Sequence, residues 1–271
     1  YHDFRLTRDA DGVAWLLFDR ADSSANTLSA EVIEGFDRVL TELETNRPTG
    51  LVIRSAKTSG FIAGADVNEF RGASDPQQVE AAIGQAHAVI DRLEALRVPT
   101  VAVIHGFCLG GGLEVALACQ MRIAISDARF GFPEVMLGLH PGLGGTARFT
   151  ELVNPMQAMT LMLTGRTIDA RRAKSLGLVD AVCEERHVRN AVKDAVSGKL
   201  KRAKKSPLVT LLNLGPARRL LANRMRAEAE KAAPHEHYPA PDALIDLWER
   251  HGGDKPAMLA AEKTSFANLM V

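Results

Sequence analysis

Two acidic residues and two runs of small residues mark where this sequence could do chemistry. Glu114 follows three glycines in HGFCLGGGLE (105–114), and Glu134 lies beside Phe130, Phe132 and Val135 in FGFPEV (130–135). Glutamate is ordinarily exposed, so one in an apolar loop is as readily a site residue as a surface residue. Two carboxylates facing one cavity can divide acid and base work when their surroundings push their proton affinities apart. The glycines 110–112 follow an apolar run and precede a helical pattern. Such a junction leaves backbone N–H groups free at the positive end of a helix, which suits a phosphate or a developing oxyanion. It serves equally well as a tight turn with close helix packing. FIAGAD (61–66) forms a second candidate donor loop, where small residues let a ligand lie against the backbone.

The elements that must position these residues alternate in type. Apolar runs at 13–18, 50–55, 100–104 and 121–126 read as strands. Apolar residues at helical spacing predict helices over 79–96 and 111–119, and one opened by Ser29 as its N-cap. This alternation favours parallel strands joined by helical crossovers, with both sheet faces buried. From about residue 155 the pattern becomes mostly helical, with one short strand at 179–183.

Composition narrows the function classes. The 271 residues carry 33 Lys+Arg and 33 Asp+Glu, with 46% hydrophobic residues, which argues against a disordered chain and a broadly basic nucleic-acid binder. Three scattered cysteines form neither a disulfide framework nor a zinc ligand set, so no metal site is expected and a reducing, cytoplasmic setting is. No apolar run reaches the roughly 20 residues of a membrane span, and no signal-peptide pattern opens the chain. GLGGTA (142–147) fits a loose dinucleotide-binding pattern, but Pro141 rather than a strand precedes it, so nucleotide binding there is not expected. KLKRAKK (199–205) reads as a solvated hinge, with attraction for a phosphate or acidic partner as its alternative. HEHYPAP (235–241) reads as a linker whose two histidines lack supporting metal ligands.

Taken together, FIAGADVNEF (61–70), HGFCLGGGLEVALACQMRIA (105–124), FGFPEVMLGLHPGLGGTARF (130–149) and TGRTIDARRAKSLGLVD (164–180) resemble the enoyl-CoA hydratase/isomerase, or crotonase, superfamily. The resemblance implies a crotonase-like α/β fold of repeated ββα units, a parallel sheet packed by helices, with a helical C-terminal region. It implies a catalytic core over 1–190 and a helical or linker region over 191–271. The backbone N–H groups of Ala65 and Gly111 would form an oxyanion hole for a thioester carbonyl, with Ala63, Gly64, Asp66 and Gly110 as neighbouring substrate contacts. Glu114 and Glu134 would be the acid–base pair that adds water to a trans-2-enoyl-CoA, with enoyl-CoA isomerisation as a further activity. Coenzyme A would enter as part of the acyl-CoA substrate, and no separate cofactor is implied.

The tail 237–269 resembles the linker region of bacterial multifunctional fatty-acid oxidation α subunits. This implies an N-terminal piece of a longer protein, partnered by a 3-hydroxyacyl-CoA dehydrogenase module and a thiolase subunit; a homo-oligomer is the other arrangement found among relatives. The competing readings are an isomerase without useful hydration and a noncatalytic acyl-CoA- or RNA-binding relative. The intact glutamate pair weighs against both, and the zero net charge against RNA binding. A glycosidase would also use two carboxylates, but would leave the glycine loops unexplained.

Overall fold

The computed structural model describes residues 1–66, 69, 74–203, 207–232 and 238–271. Residues 204–206 of the basic stretch and 235–237 of the expected linker lie outside the described residues. The strands are β1 (Phe4–Arg8), β2 (Val13–Phe18), β3 (Gly50–Ser55), β4 (Gly60–Ile62), β5 (Thr100–Ile104), β6 (Phe107–Leu109), β7 (Met121–Ile125), β8 (Arg129–Gly131), β9 (Thr167–Asp169) and β10 (Ala181–Cys183). The first helices are α1 (Ala30–Thr45), α2 (Pro76–Ala95), α3 (Gly111–Ala118), α4 (Gly145–Leu152), α5 (Pro155–Thr164) and α6 (Ala170–Leu176). They are followed by α7 (Val188–Val196), α8 (Pro207–Leu212), α9 (Gly215–Ala232), α10 (Ala240–His251) and α11 (Lys255–Met270).

The larger sheet has the order β1-β2-β3-β5-β7-β10, and the smaller has β4-β6-β8-β9. All pairings are parallel except β1 with β2 and β8 with β9. Each step between neighbours in the large sheet, β3 to β5 and β5 to β7, passes through one short strand of the small sheet and one helix. The chain therefore repeats a ββα unit, and the fold is the crotonase-like α/β fold that the resemblance implied.

The near-continuous apolar runs of β3, β5 and β7 follow from cover on both faces. Successive side chains alternate between faces. Leu51, Ile53, Ala102 and Ile104 enter the main core, whereas Val52, Val101, Val103 and Ile123 pack with Val188, Val192 and Ala195 of α7. Ser29 caps α1, its hydroxyl accepting the Val32 N–H at 3.2 Å. Helix α2 begins three residues before the pattern suggested, because Asp75 caps it and Pro76 occupies its first turn. The strands of the small sheet are three residues each, too short for a periodic signal.

The C-terminal helices return to the core. Helix α10 packs on α9, and α11 on α2, α4 and α10. Trp248 of α10 is fully buried and donates its indole N–H to Asn213 Oδ1 at 2.9 Å. Helix α11 buries Met258, Glu262, Phe266 and Ala267. Among the described residues, no helix is long and apolar enough to cross a membrane.

Candidate active site

The two small-residue loops meet because β4 and β6 are adjacent parallel strands, each ending in one of them. Beyond β4, the Leu28 N–H donates to Gly64 O at 2.9 Å and the Asp66 N–H donates to Leu28 O at 2.8 Å. This parallel bridge pairs Leu28 with Ala65, and turns the N–H of Ala65 itself away from Leu28. Gly111 is the first residue of α3, so its N–H has no intrahelical acceptor. A Cβ on Gly111 would lie 3.6 Å from Ala65 N, so the two amides are neighbours. Neither N–H donates a hydrogen bond among the described residues.

The three glycines have different reasons. Gly110 has φ +51°, a left-handed conformation, and its missing Cβ would stand 2.8 Å from Glu134 Oε1. Gly111 keeps the approach to its N–H open. Gly112 is tight packing alone, since a Cβ there would lie 2.4 Å from Ile62 O. The close-packing reading of the glycine run thus applies at Gly112.

Glu114 sits in the first turn of α3 and is 2% exposed. Its Oε1 accepts the N–H groups of Leu143 at 2.7 Å and Gly145 at 2.6 Å. Burial and the charge of Glu262 push its carboxyl up to about 7, against the pull of those N–H groups and of His87. Glu134 lies on a short 3-10 turn (Pro133–Leu137) reached from β8. Its Oε2 is buried with no hydrogen-bond partner among the described residues. Burial, followed by the charge of Glu114, holds its carboxyl well above the ordinary range.

One cavity of about 1190 Å³ is lined by Ala63, Gly64, Ala65, Gly110, Gly111, Glu114 and Glu134. It continues between α1, α2 and α11 along Ile33, Val79, Ile83, Val89, Phe266 and Met270. Asp66 is not among the lining residues; its carboxylate pairs with Arg20 at 2.9 Å. A separate group, His2, Asp3 and Glu31, has the spacing to hold a cation but none of its members lines the cavity.

The GLGGTA segment begins α4 and holds carboxylates of the protein itself. Leu143 and Gly145 donate to Glu114, whereas the Gly144 and Thr146 N–H groups donate to Glu262 at 2.5 and 3.2 Å. Glu262 and its partner His87 stand behind this loop, outside the cavity lining, and sequence patterns do not single them out. Each was marked by a polar side chain on an apolar helical stripe: His87 between Ile83 and Ile90, Glu262 between Met258 and Phe266.

Residues 8–214 match the enoyl-CoA hydratase/isomerase family, and the chain belongs to that family. It is 39% identical over 277 residues to the fatty acid oxidation complex subunit alpha of Shewanella sp. (strain ANA-3), covering 99% of this chain and 39% of the relative. Its match to the subunit of that name from Vibrio cholerae is 36% identical over 279 residues, with 99% and 39% covered. The chain thus spans 39% of the length of these relatives. The crystal structure of enoyl-CoA hydratase from Bacillus anthracis superimposes with a TM-score of 0.66 at 27% identity, over 92% of this chain and 90% of that one. An enoyl-CoA hydratase structure from Geobacillus kaustophilus, 23% identical with a TM-score of 0.68 over 94% and 92%, shares the fold.

Proposed function

We propose that this chain hydrates trans-2-enoyl-CoA to 3-hydroxyacyl-CoA in fatty-acid β-oxidation. The observation that carries this reading is one cavity holding two carboxylates of raised proton affinity beside two backbone N–H groups that donate to no acceptor among the described residues. The thioester oxygen lies between the N–H groups of Ala65 and Gly111. A water held between the glutamates attacks C3, and Glu114, whose charged form is supported by two N–H donors, takes its proton. The C2=C3 electron pair moves onto the thioester oxygen, where the two N–H groups stabilise the enolate. Glu134, which favours its protonated form, delivers its proton to C2. Proton exchange between the carboxyls through solvent returns the resting pair.

The reactant loses an absorbing conjugated thioester, so hydration of crotonyl-CoA is followed directly by absorbance. We expect Glu114→Gln and Glu134→Gln each to slow hydration by about 10²–10⁴-fold while acyl-CoA binding is kept. Ordinary turnover by either variant would remove the assignment. Isomerisation of a 3-enoyl to a 2-enoyl thioester needs one carboxyl to carry a proton between C2 and C4. The Oε2 of Glu134, without a hydrogen-bond partner among the described residues, supports that second activity, and a 3-enoyl-CoA substrate tests it.

The alpha-subunit relatives support a place in a fatty acid oxidation complex. We infer partnership with a 3-hydroxyacyl-CoA dehydrogenase module and a thiolase subunit. Co-purification from cells expressing the full-length gene product tests this. A cytoplasmic location fits three unpaired cysteines, two of them buried, and fractionation tests it.

A further inference from the structure

Glu262 is fully buried on α11, although burying a carboxylate is costly unless it is paired. Its Oε1 accepts the Gly144 N–H at 2.5 Å and lies 3.3 Å from His87 Nε2. Its Oε2 accepts the Thr146 N–H at 3.2 Å and the Thr146 hydroxyl. His87 Nε2 also bonds Gly142 O at 2.8 Å, which fixes a proton on that nitrogen. The loop held in this way is the one whose Leu143 and Gly145 N–H groups hold Glu114 Oε1. Amides alternate along it: 143 and 145 face Glu114, whereas 144 and 146 face Glu262.

We propose that Glu262 and His87 are a positioning pair for Glu114, clamping the 142–146 loop from the side opposite the cavity so that the base is held at a fixed place and charge. The pair touches no reacting atom, and it rests on the hydratase reading only for what Glu114 does. It also makes the C-terminal helix part of the site: the loop that aims Glu114 is fastened to α11 and α2 rather than to the sheet.

The charged and titratable groups around the pair come from every element packed on it. Glu114 of α3 and Glu134 stand on the cavity side. His140 packs beside it and bonds Ser265 of α11 at 2.8 Å. Asp91, Glu94, Lys255 and Lys263 border the outer side, where Arg148 and Lys255 engage Glu94. Burial alone would discharge both members. The hydrogen bond and mutual charge reverse this, so Glu262 lies below its ordinary value and His87 above.

The test uses the full chain with Glu262→Gln, His87→Asn and the apolar double variant Glu262→Leu/His87→Leu. The double variant removes both buried charges together, a change that is often neutral for folding. Three quantities are read: kcat and KM for crotonyl-CoA hydration per folded molecule, melting temperature, and the titration of the Glu114 carboxyl by isotope-edited infrared difference spectra. Misplacement of a catalytic group by about 1 Å costs on the order of 10²-fold. We therefore expect kcat to fall by about that factor, KM to stay unchanged, and the Glu114 midpoint to move away from about 7. A folded double variant with wild-type kcat and Glu114 titration overturns the proposal. So does activity lost only in proportion to the unfolded fraction, which is what a purely structural pair would give. If the wild-type chain does not hydrate crotonyl-CoA, the hydratase reading fails by itself, and the Glu114 titration still decides the pair.

Discussion

The two glutamates differ in what surrounds them, and that difference sets their expected behaviour with pH. Glu114 has two N–H donors on one oxygen, whereas Glu134 has a buried oxygen with none among the described residues. With Glu114 as the proposed base, which must be charged to work, kcat should fall as pH drops through about 7, the value to which burial and Glu262 bring it. With Glu134 as the proposed acid, which must be protonated, kcat should also fall at higher pH, where Glu134 ionises. A bell-shaped kcat profile is the expected outcome, and loss of only its acid limb in Glu114→Gln checks the assignment. The same raised affinities have a stability cost. Between the unfolded value near 4.5 and the higher folded value, the folded state binds the extra proton, so stability declines as pH rises through that window. Glu134→Gln removes this loss. Its melting temperature should exceed that of the parent, by more at pH 8 than at pH 5.

At the scale of elements, the site depends on close approach between β4, β6 and the start of α3. The Cβ of an alanine at 112 would lie 2.4 Å from Ile62 O, a backbone atom that cannot swing aside. Gly112→Ala should therefore cost about 1–3 kcal/mol by chemical denaturation. Because the same contact sets the separation of the Ala65 and Gly111 N–H groups, hydration should fall beyond the loss of folded protein. Gly111→Pro should lower hydration, since it deletes one of the two N–H groups proposed to hold the thioester oxygen and distorts the backbone at the start of α3. Alanine at 111 keeps that N–H and should be the milder change, although its Cβ meets Leu28 Cδ1 at 3.0 Å.

Across the whole molecule, buried charges join segments distant in sequence. Arg122 of β7 donates to Leu178 O and Cys119 O, each at 2.7 Å. Asp180 accepts the backbone N–H groups of Arg122 and Ala203, each at 2.8 Å, and so ties the start of the C-terminal region to the large sheet. Asp180→Ala leaves the buried guanidinium without its carboxylate and should cost about 3–5 kcal/mol in the global unfolding transition. The exposed Arg224–Glu228 pair is the contrast: its removal should change stability by less than about 1 kcal/mol.

Much of this molecule is legible in its residues taken in order. The strands at 13–18, 50–55 and 100–104 fall where the apolar runs lie, because a strand covered on both faces must be apolar throughout. Glu114, Glu134 and the two small-residue loops stood out because carboxylates among apolar residues and glycines before a helix are locally unusual. The small sheet was not legible, since three-residue strands carry no period. Nor was the His87–Glu262 pair, because its members lie 175 positions apart by their numbers and each reads alone as a polar residue on an apolar stripe. Local sequence determined which residue types could carry the chemistry and which segments would be helix or strand, since propensity, capping and periodicity act over a few residues. The tertiary structure alone decided that the loops and both glutamates share one cavity, and that the last helix closes the site. Burial and facing charge depend on what folds back from far along the chain, and these set the proton affinity and position of each carboxylate.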